Sequence, residues 1–188
     1  MSDLKKSLKE IAKILVSAKK QKTLKGFTLV GGLAVSARAI PRATKDIDFL
    51  IHPEEAFLQK TLPDLLRHTN YTFKIFRSNF QDPLNNLVRI YNQNGDEIAD
   101  LIPIFLNWQE EVIQRSENVE LEKGFSIPIA QTEDLVVLKL KAGSGQDLID
   151  VESLLLSAQK NKKLDLNRMK ELAKRARVDK KLEKILLK

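Results

Sequence analysis

Apolar residues in the first twenty positions recur as Leu4, Leu8, Ile11 and Leu15. That spacing of i, i+4, i+7, i+11 predicts an amphipathic helix laid on a core. A short apolar run, "FTLV" at 27–30, then meets Gly31-Gly32, and "LAVSARAI" after it reads as a helix stopped by Pro41. The unit is strand, glycine turn, helix. The next run, "DIDFLI" at 46–51, alternates with a period of two, so Ile47, Phe49 and Ile51 share one face while Asp46 and Asp48 share the other. Two carboxylates therefore sit in a segment otherwise patterned for burial.

Farther along, Glu54 and Glu55 open a helical stretch reaching about His68, and Thr61-Leu62-Pro63-Asp64 reads as a break, with Thr61 capping and Pro63 in the first position. "YTFKIF" at 71–76 alternates as a strand. "LVRIYNQNGDEIADLIPIF" at 87–105 is a hairpin, because Asn94-Gly95 supplies the positive φ values of a tight turn between two apolar-rich arms. In its second arm the alternation groups Asp100 with Ile98 and Ile102, so a charge interrupts an apolar face. Beyond Trp108 the pattern gives a short helix, two brief strands and a helix capped by Thr132. Lys139 falls on that helix's apolar stripe, four residues after Leu135; an inward lysine needs a reason, and one that packs its stem while its ammonium reaches water would have one. "GSG" at 143–145 ends this helix. The next begins with Asp147 and Asp150 early in it, where acids are ordinary helix-start residues, and two tail segments follow, capped by Asp165 and Asp179.

Composition narrows the chemistry. At 188 residues the chain is long enough for a core without staples, and the absence of cysteine removes disulfides, thiolate catalysis and cysteine-ligated zinc. Only His52 and His68 are available, which disfavours a histidine-rich metal site. Lys13 splits the best apolar stretch of the N-terminus, so neither a signal peptide nor a membrane span is expected, and the expected compartment is cytoplasmic. The formal net charge of +7 is concentrated in residues 160–188, where twelve Lys or Arg face four Asp or Glu. A solvated helix face explains such a tail, and contact with RNA or another polyanion explains it too.

Two anions at i and i+2 on a strand repel one another unless a cation lies between them, and hard oxygens without His or Cys favour magnesium or manganese. Asp46 and Asp48 are the candidate ligands, with Asp100 the one in-strand candidate for a third. The glycines let backbone approach a ligand, and the following helix offers its amides to phosphate. Arg42 and Lys45 add positive charge beside it. The D-x-D pattern also suits a metal-dependent glycosyltransferase binding a nucleotide sugar, although the glycine-helix unit at this spacing argues against it.

The segment "VGGLAVSARAIPRATKDIDFL" resembles the signature of the nucleotidyltransferase superfamily typified by DNA polymerase beta: an apolar residue, two glycines, a spacer, then Asp-apolar-Asp-apolar, here Val30, Gly31, Gly32, Asp46, Ile47, Asp48 and Phe49. More narrowly, "GGLAV", "RATKDIDFL", "ADLIP" and "EDLVVLKLKAGSGQDLIDVESLL" are similar to small bacterial nucleotidyltransferases of the AbiEii toxin type, over about residues 27–156. The resemblance implies an α+β fold, a mixed sheet flanked by helices. A catalytic core over 1–130 would carry the N-terminal helix, and a helical region over 131–188 the basic tail. It implies transfer of a nucleoside monophosphate from a nucleoside triphosphate to a hydroxyl of tRNA, a protein or a small molecule, with release of pyrophosphate. Asp46, Asp48 and Asp100 would then hold Mg2+ or Mn2+, with Asp100 helping to deprotonate the acceptor. Gly31 and Gly32 would hold the triphosphate, and Lys139 would reach into the nucleotide site with Asp150 supporting it. A toxin of this kind has a cognate antitoxin as partner. The competing reading is a non-catalytic nucleotide- or nucleic-acid-binding module on the same fold.

Overall fold

A computed structural model describes residues 2–76, 87–161 and 164–187. The helix α1 (Ser2–Lys20) leads into β1 (Leu24–Val30), α2 (Gly31–Arg38) and β2 (Ile47–Pro53). A wide π-type turn (Phe57–Thr61) runs into α3 (Leu62–Leu66). Then come β3 (Thr72–Phe76), β4 (Leu87–Tyr91), β5 (Glu97–Pro103), α4 (Asn107–Gln114), β6 (Glu117–Glu122) and β7 (Phe125–Ile129). The chain closes with α5 (Thr132–Ala142), α6 (Gly145–Lys160), α7 (Leu166–Ala176) and α8 (Asp179–Leu186). The seven strands form one sheet in the order β3-β4-β5-β2-β1-β7-β6. β2 runs parallel to β5 and β1 parallel to β7, and the remaining pairs are antiparallel. This is the α+β mixed sheet flanked by helices that the resemblance implies.

The period of two in β2 and β5 sorts the central strands by face. Ile47, Phe49, Ile51, Ala99 and Leu101 are buried on one side, whereas Asp48, Asp100 and Ile102 on the other are only half-buried. Asp100 sits between Ile98 and Ile102, which pack on the core, so a charge does interrupt an apolar face there, on the less buried side of the sheet. Far along that face from the carboxylates, α4 covers the sheet, with His52 Nδ1 3.7 Å from Glu110 and Ile113 packed against Gly26.

Four local expectations change. Asp46 lies one residue ahead of β2 and is exposed, because β1 gives way to α2 after Val30, whose register partner is Asp48, and no strand on that side extends to Asp46. Thr61 is no cap: it is buried and helical, and the chain continues through a π-type turn in which the Leu62 N–H donates to Phe57 O. Pro63 supplies no N–H and its ring crowds the carbonyl four residues back, so one wider turn accommodates it where a break was expected. Thr132 and Asp179 are the first residues of their helices, with Gln131 and Val178 at the cap positions, whereas Asp165 does cap α7 through the Arg168 N–H. The β4–β5 connection, residues 92–96, closes with the Asn92 N–H donating to Asp96 O around three loop residues, of which only Gly95 has positive φ, +85°; Asn92 Oδ1 braces it by accepting from the N–H groups of Asn94 and Asp96.

Candidate active site

The site starts from one close approach. Gly31 begins α2 with φ +65°, and a Cβ there would stand 1.9 Å from Asp48 Oδ2, so only glycine allows β1 to turn into α2 against that carboxylate. A Cβ on Gly32 would meet Thr44 Oγ1 at 2.8 Å and Arg42 Nη2 at 3.0 Å. The loop after α2 thus folds back over the helix start. Ser36 Oγ pins it, accepting from the Arg42 N–H at 3.3 Å.

Parallel pairing sets Asp48 directly beside Asp100. Burial pushes the Asp48 carboxyl up to about 6, the charges of Asp100 and Asp46 push it the same way, and Lys139 and Arg89 oppose them. Asp100 has a partner of its own. Arg89 lies opposite it on β4 and donates from Nε and Nη2 to its two oxygens at 2.7 and 2.9 Å, while Nη1 donates to Glu97 at 2.8 Å.

A second cluster is built by α5 and α6. Lys139 Nζ lies 2.7 Å from Asp147 and 2.9 Å from Asp150, which explains why a lysine points inward. Burial would lower the Lys139 ammonium, but the two carboxylates outweigh it and hold it above its ordinary value. Asp147 also closes the capping box of α6, accepting from Ser144 N and Oγ at 3.0 and 2.7 Å. Asp150 is almost fully buried and accepts from Arg42 Nε and Nη2 at 2.7 and 2.8 Å. Its burial favours the protonated form, yet hydrogen bonds from Arg42, Lys139 and Gln146 bring it down to about 2. Arg42, expected beside a phosphate, is therefore engaged by Asp150, and Lys45 is exposed with no ion pair among the described residues.

The structure thus brings together Gly31, Asp48 and Asp100, joins Arg42, Lys139 and Asp150 in a neighbouring ion network, leaves Asp46 at the rim and Lys45 outside. Sequence reasoning missed Arg89 and Thr44 and set Asp147 aside as a helix-start acid. Arg89 had a signal: counting outward from Asn94-Gly95 through the hairpin pairs it with Asp100. Asp147 and Asp150 had one as well: they start the helix that follows an inward lysine.

The donors suit a divalent ion in one specific way. Asp46 and Asp48 offer hard oxygens, and the raised Asp48 is an uncompensated charge that a cation would relieve. Among the described residues no three acidic or histidine side chains close into a chelating group. Asp46 and Asp100 line a shallow recess with Glu97 and Ile98, whereas a depression of about 680 Å³ lies between α1, residues 68–71 and the β4–β5 loop and touches the recess only through Ile98.

No helix among the described residues is long and apolar enough to cross a membrane. No curated protein matches the sequence closely enough to count as a relative. Among solved structures, the crystal structure of ANT(2")-Ia in complex with adenylyl-2"-tobramycin superposes with a TM-score of 0.53 at 17% identity, covering 94% of this chain and 98% of that one. The Megavirus polyadenylate synthase superposes with a TM-score of 0.53 at 15% identity over 87% of this chain and 32% of that one. At such identities these likenesses establish the fold. The family model described as nucleotidyltransferase of unknown function (DUF6036) matches residues 3–185, and the chain therefore belongs to that nucleotidyltransferase family.

Proposed function

We propose that this protein transfers a nucleoside monophosphate from a nucleoside triphosphate to a hydroxyl acceptor. The observation that carries the reading is Asp48, set beside Asp100 by strand register and pressed against Gly31, where a Cβ would stand 1.9 Å from its Oδ2. A carboxylate buried against a glycine at a helix start leaves room for phosphate oxygens near backbone amides and for a cation near the carboxylate.

Asp46 and Asp48 would hold the ion, which would supply charge neutralisation at the phosphates. Gly31 and Gly32 open the helix start to the triphosphate. The Lys139 ammonium, close enough to stabilise the ionised Asp48, adds fixed positive charge on the nucleotide side and is held in place by Asp147 and Asp150. Asp100, once free of Arg89, is the group placed to accept the proton of an acceptor hydroxyl. Positioning and charge do most of the work in such a transfer. The acceptor class, whether RNA, a protein hydroxyl or a small molecule, is for the test to reveal.

The test is incubation with each α-labelled nucleoside triphosphate and Mg2+, with total RNA, lysate protein or small-molecule extract as acceptor. Asp48→Ala runs alongside, with Lys60→Gln, an exposed lysine away from the carboxylates in sequence, as a surface control. Transfer of label that fails in Asp48→Ala and survives in Lys60→Gln supports the enzyme. One observation favours the other reading, a nucleotide-binding module: both oxygens of Asp100 are taken by Arg89. Nucleotide binding without transfer to any acceptor would establish it.

A further inference from the structure

Arg89 is held on three sides. Two of its nitrogens grip Asp100, a third grips Glu97, and its guanidinium lies 5.7 Å from the centroid of the Phe76 ring. This bidentate grip is the strongest form an arginine–carboxylate contact takes. It contrasts with Asp48, its neighbour in register, which accepts no hydrogen bond from any described side chain. Of two adjacent carboxylates, one carries a resident cation and the other does not.

We propose that Arg89 is a positioning residue that acts through Asp100, standing as its counter-ion until a divalent cation arrives with the nucleotide, and then withdrawing onto Glu97. The inference rests on the nucleotidyltransfer reading, in which an ion is held at Asp46 and Asp48, and adds that this ion also reaches Asp100, the neighbour of Asp48 in register. A fixed monocation sharing the carboxylate repels an incoming dication, so free metal binds poorly while Arg89 is in place. Withdrawal is made easy by Glu97, which already holds the nitrogen that does not touch Asp100. The triphosphate adds the negative charge that tips the exchange. The consequence is an order of binding: the cation enters with the nucleotide, and a carboxylate proposed to accept a proton is masked until both are present.

The experiment measures Mn2+ affinity by electron paramagnetic resonance on the full chain without nucleotide, comparing the wild type, Arg89→Met and Arg89→Met/Asp100→Asn. Arg89→Met is expected to bind Mn2+ at least about tenfold more tightly than the wild type, with the gain lost in the double variant. A change in folding is controlled in the wild type itself. The Nε–H resonance of Arg89 is followed by NMR as Mg2+ and a non-hydrolysable nucleoside triphosphate are added, and it is expected to shift as its bond to Asp100 is released. Equal Mn2+ affinity in wild type and a folded Arg89→Met, or an Arg89 resonance unmoved at saturation, overturns the proposal while leaving the transferase reading intact. Absence of metal and nucleotide binding in every variant removes both.

Discussion

At the scale of single residues the informative feature is a carboxylate kept where its charge is costly. Asp48 titrates near 6 because burial and two neighbouring acids disfavour its ionised form. Its unfolded value is near 4, so between about pH 4 and 6 the unfolded chain releases this proton before the folded one does, and stability falls as pH rises through that window. Above it a penalty of roughly 3 kcal/mol persists. Asp134 contributes in the same direction, since its burial outweighs the Arg115 guanidinium 3.6 Å away and raises it to about 6. Asp48→Asn is therefore expected to raise the melting temperature of the metal-free protein at pH 7.5, by up to about 12 °C, and to have little effect at pH 4. Calorimetry at the two pH values checks it, and an equal shift at both would dissociate the effect from ionisation. Gly31→Ala acts oppositely: its Cβ has no room beside Asp48 Oδ2 and its φ is left-handed, so a loss of at least about 2 kcal/mol is expected, with nucleotide binding lost as well.

At the scale of elements, the network joining the loop after α2 to α5 and α6 ties the site to the C-terminal helices. Asp150 is buried between Arg42 and Lys139, and both would be left without their shared anion in Asp150→Ala. Removing one partner from a buried ionic cluster costs about 3 kcal/mol or more, and a fall in melting temperature of roughly 6–12 °C is expected. Asp150→Asn keeps the shape and loses the charge, and a smaller fall should follow. A thermal shift under about 1 °C for both would show that the network contributes nothing to stability. Because the folded Asp150 titrates near 2, its contribution is present above about pH 4 and is lost as pH falls toward 2. The parts legible in the sequence were those with a local period or a local breaker: the glycine turn, the strand carrying Asp48, the arm carrying Asp100, and the inward Lys139. The rest depended on contacts between distant segments. Asp150 meets Arg42 across more than a hundred residues, and no period links them. Asp46 was placed in the strand because alternation is blind to where a neighbouring strand ends. The Asn94-Gly95 signal marked the hairpin correctly but not its loop length, since a third residue and a bulge preserve the pairing of Arg89 with Asp100.

At the scale of the molecule, the positive charge of the tail divides into structural and free parts. Arg168 and Arg175 reach Glu111 on α4 at 3.0 and 2.6 Å, and Lys181 donates to Leu140 O at 3.1 Å, so these cations fasten α7 and α8 to the rest of the fold. Lys170, Lys174, Lys180 and Lys184 are exposed and make no ion pair among the described residues. If the tail contributes to holding RNA, each lysine that neutralises a phosphate releases counterions, and affinity falls steeply with salt. Replacing all four by glutamine should leave folding intact, weaken binding of labelled tRNA, and reduce the slope of log affinity against log salt by up to about 3. Replacing Arg168 and Arg175 should instead lower the melting temperature, because those cations have work inside the fold. Fluorescence anisotropy across a salt series separates the two classes. An unchanged slope in the four-lysine variant would make the tail a solvated helix face and move the search for the acceptor back to the carboxylate end of the sheet.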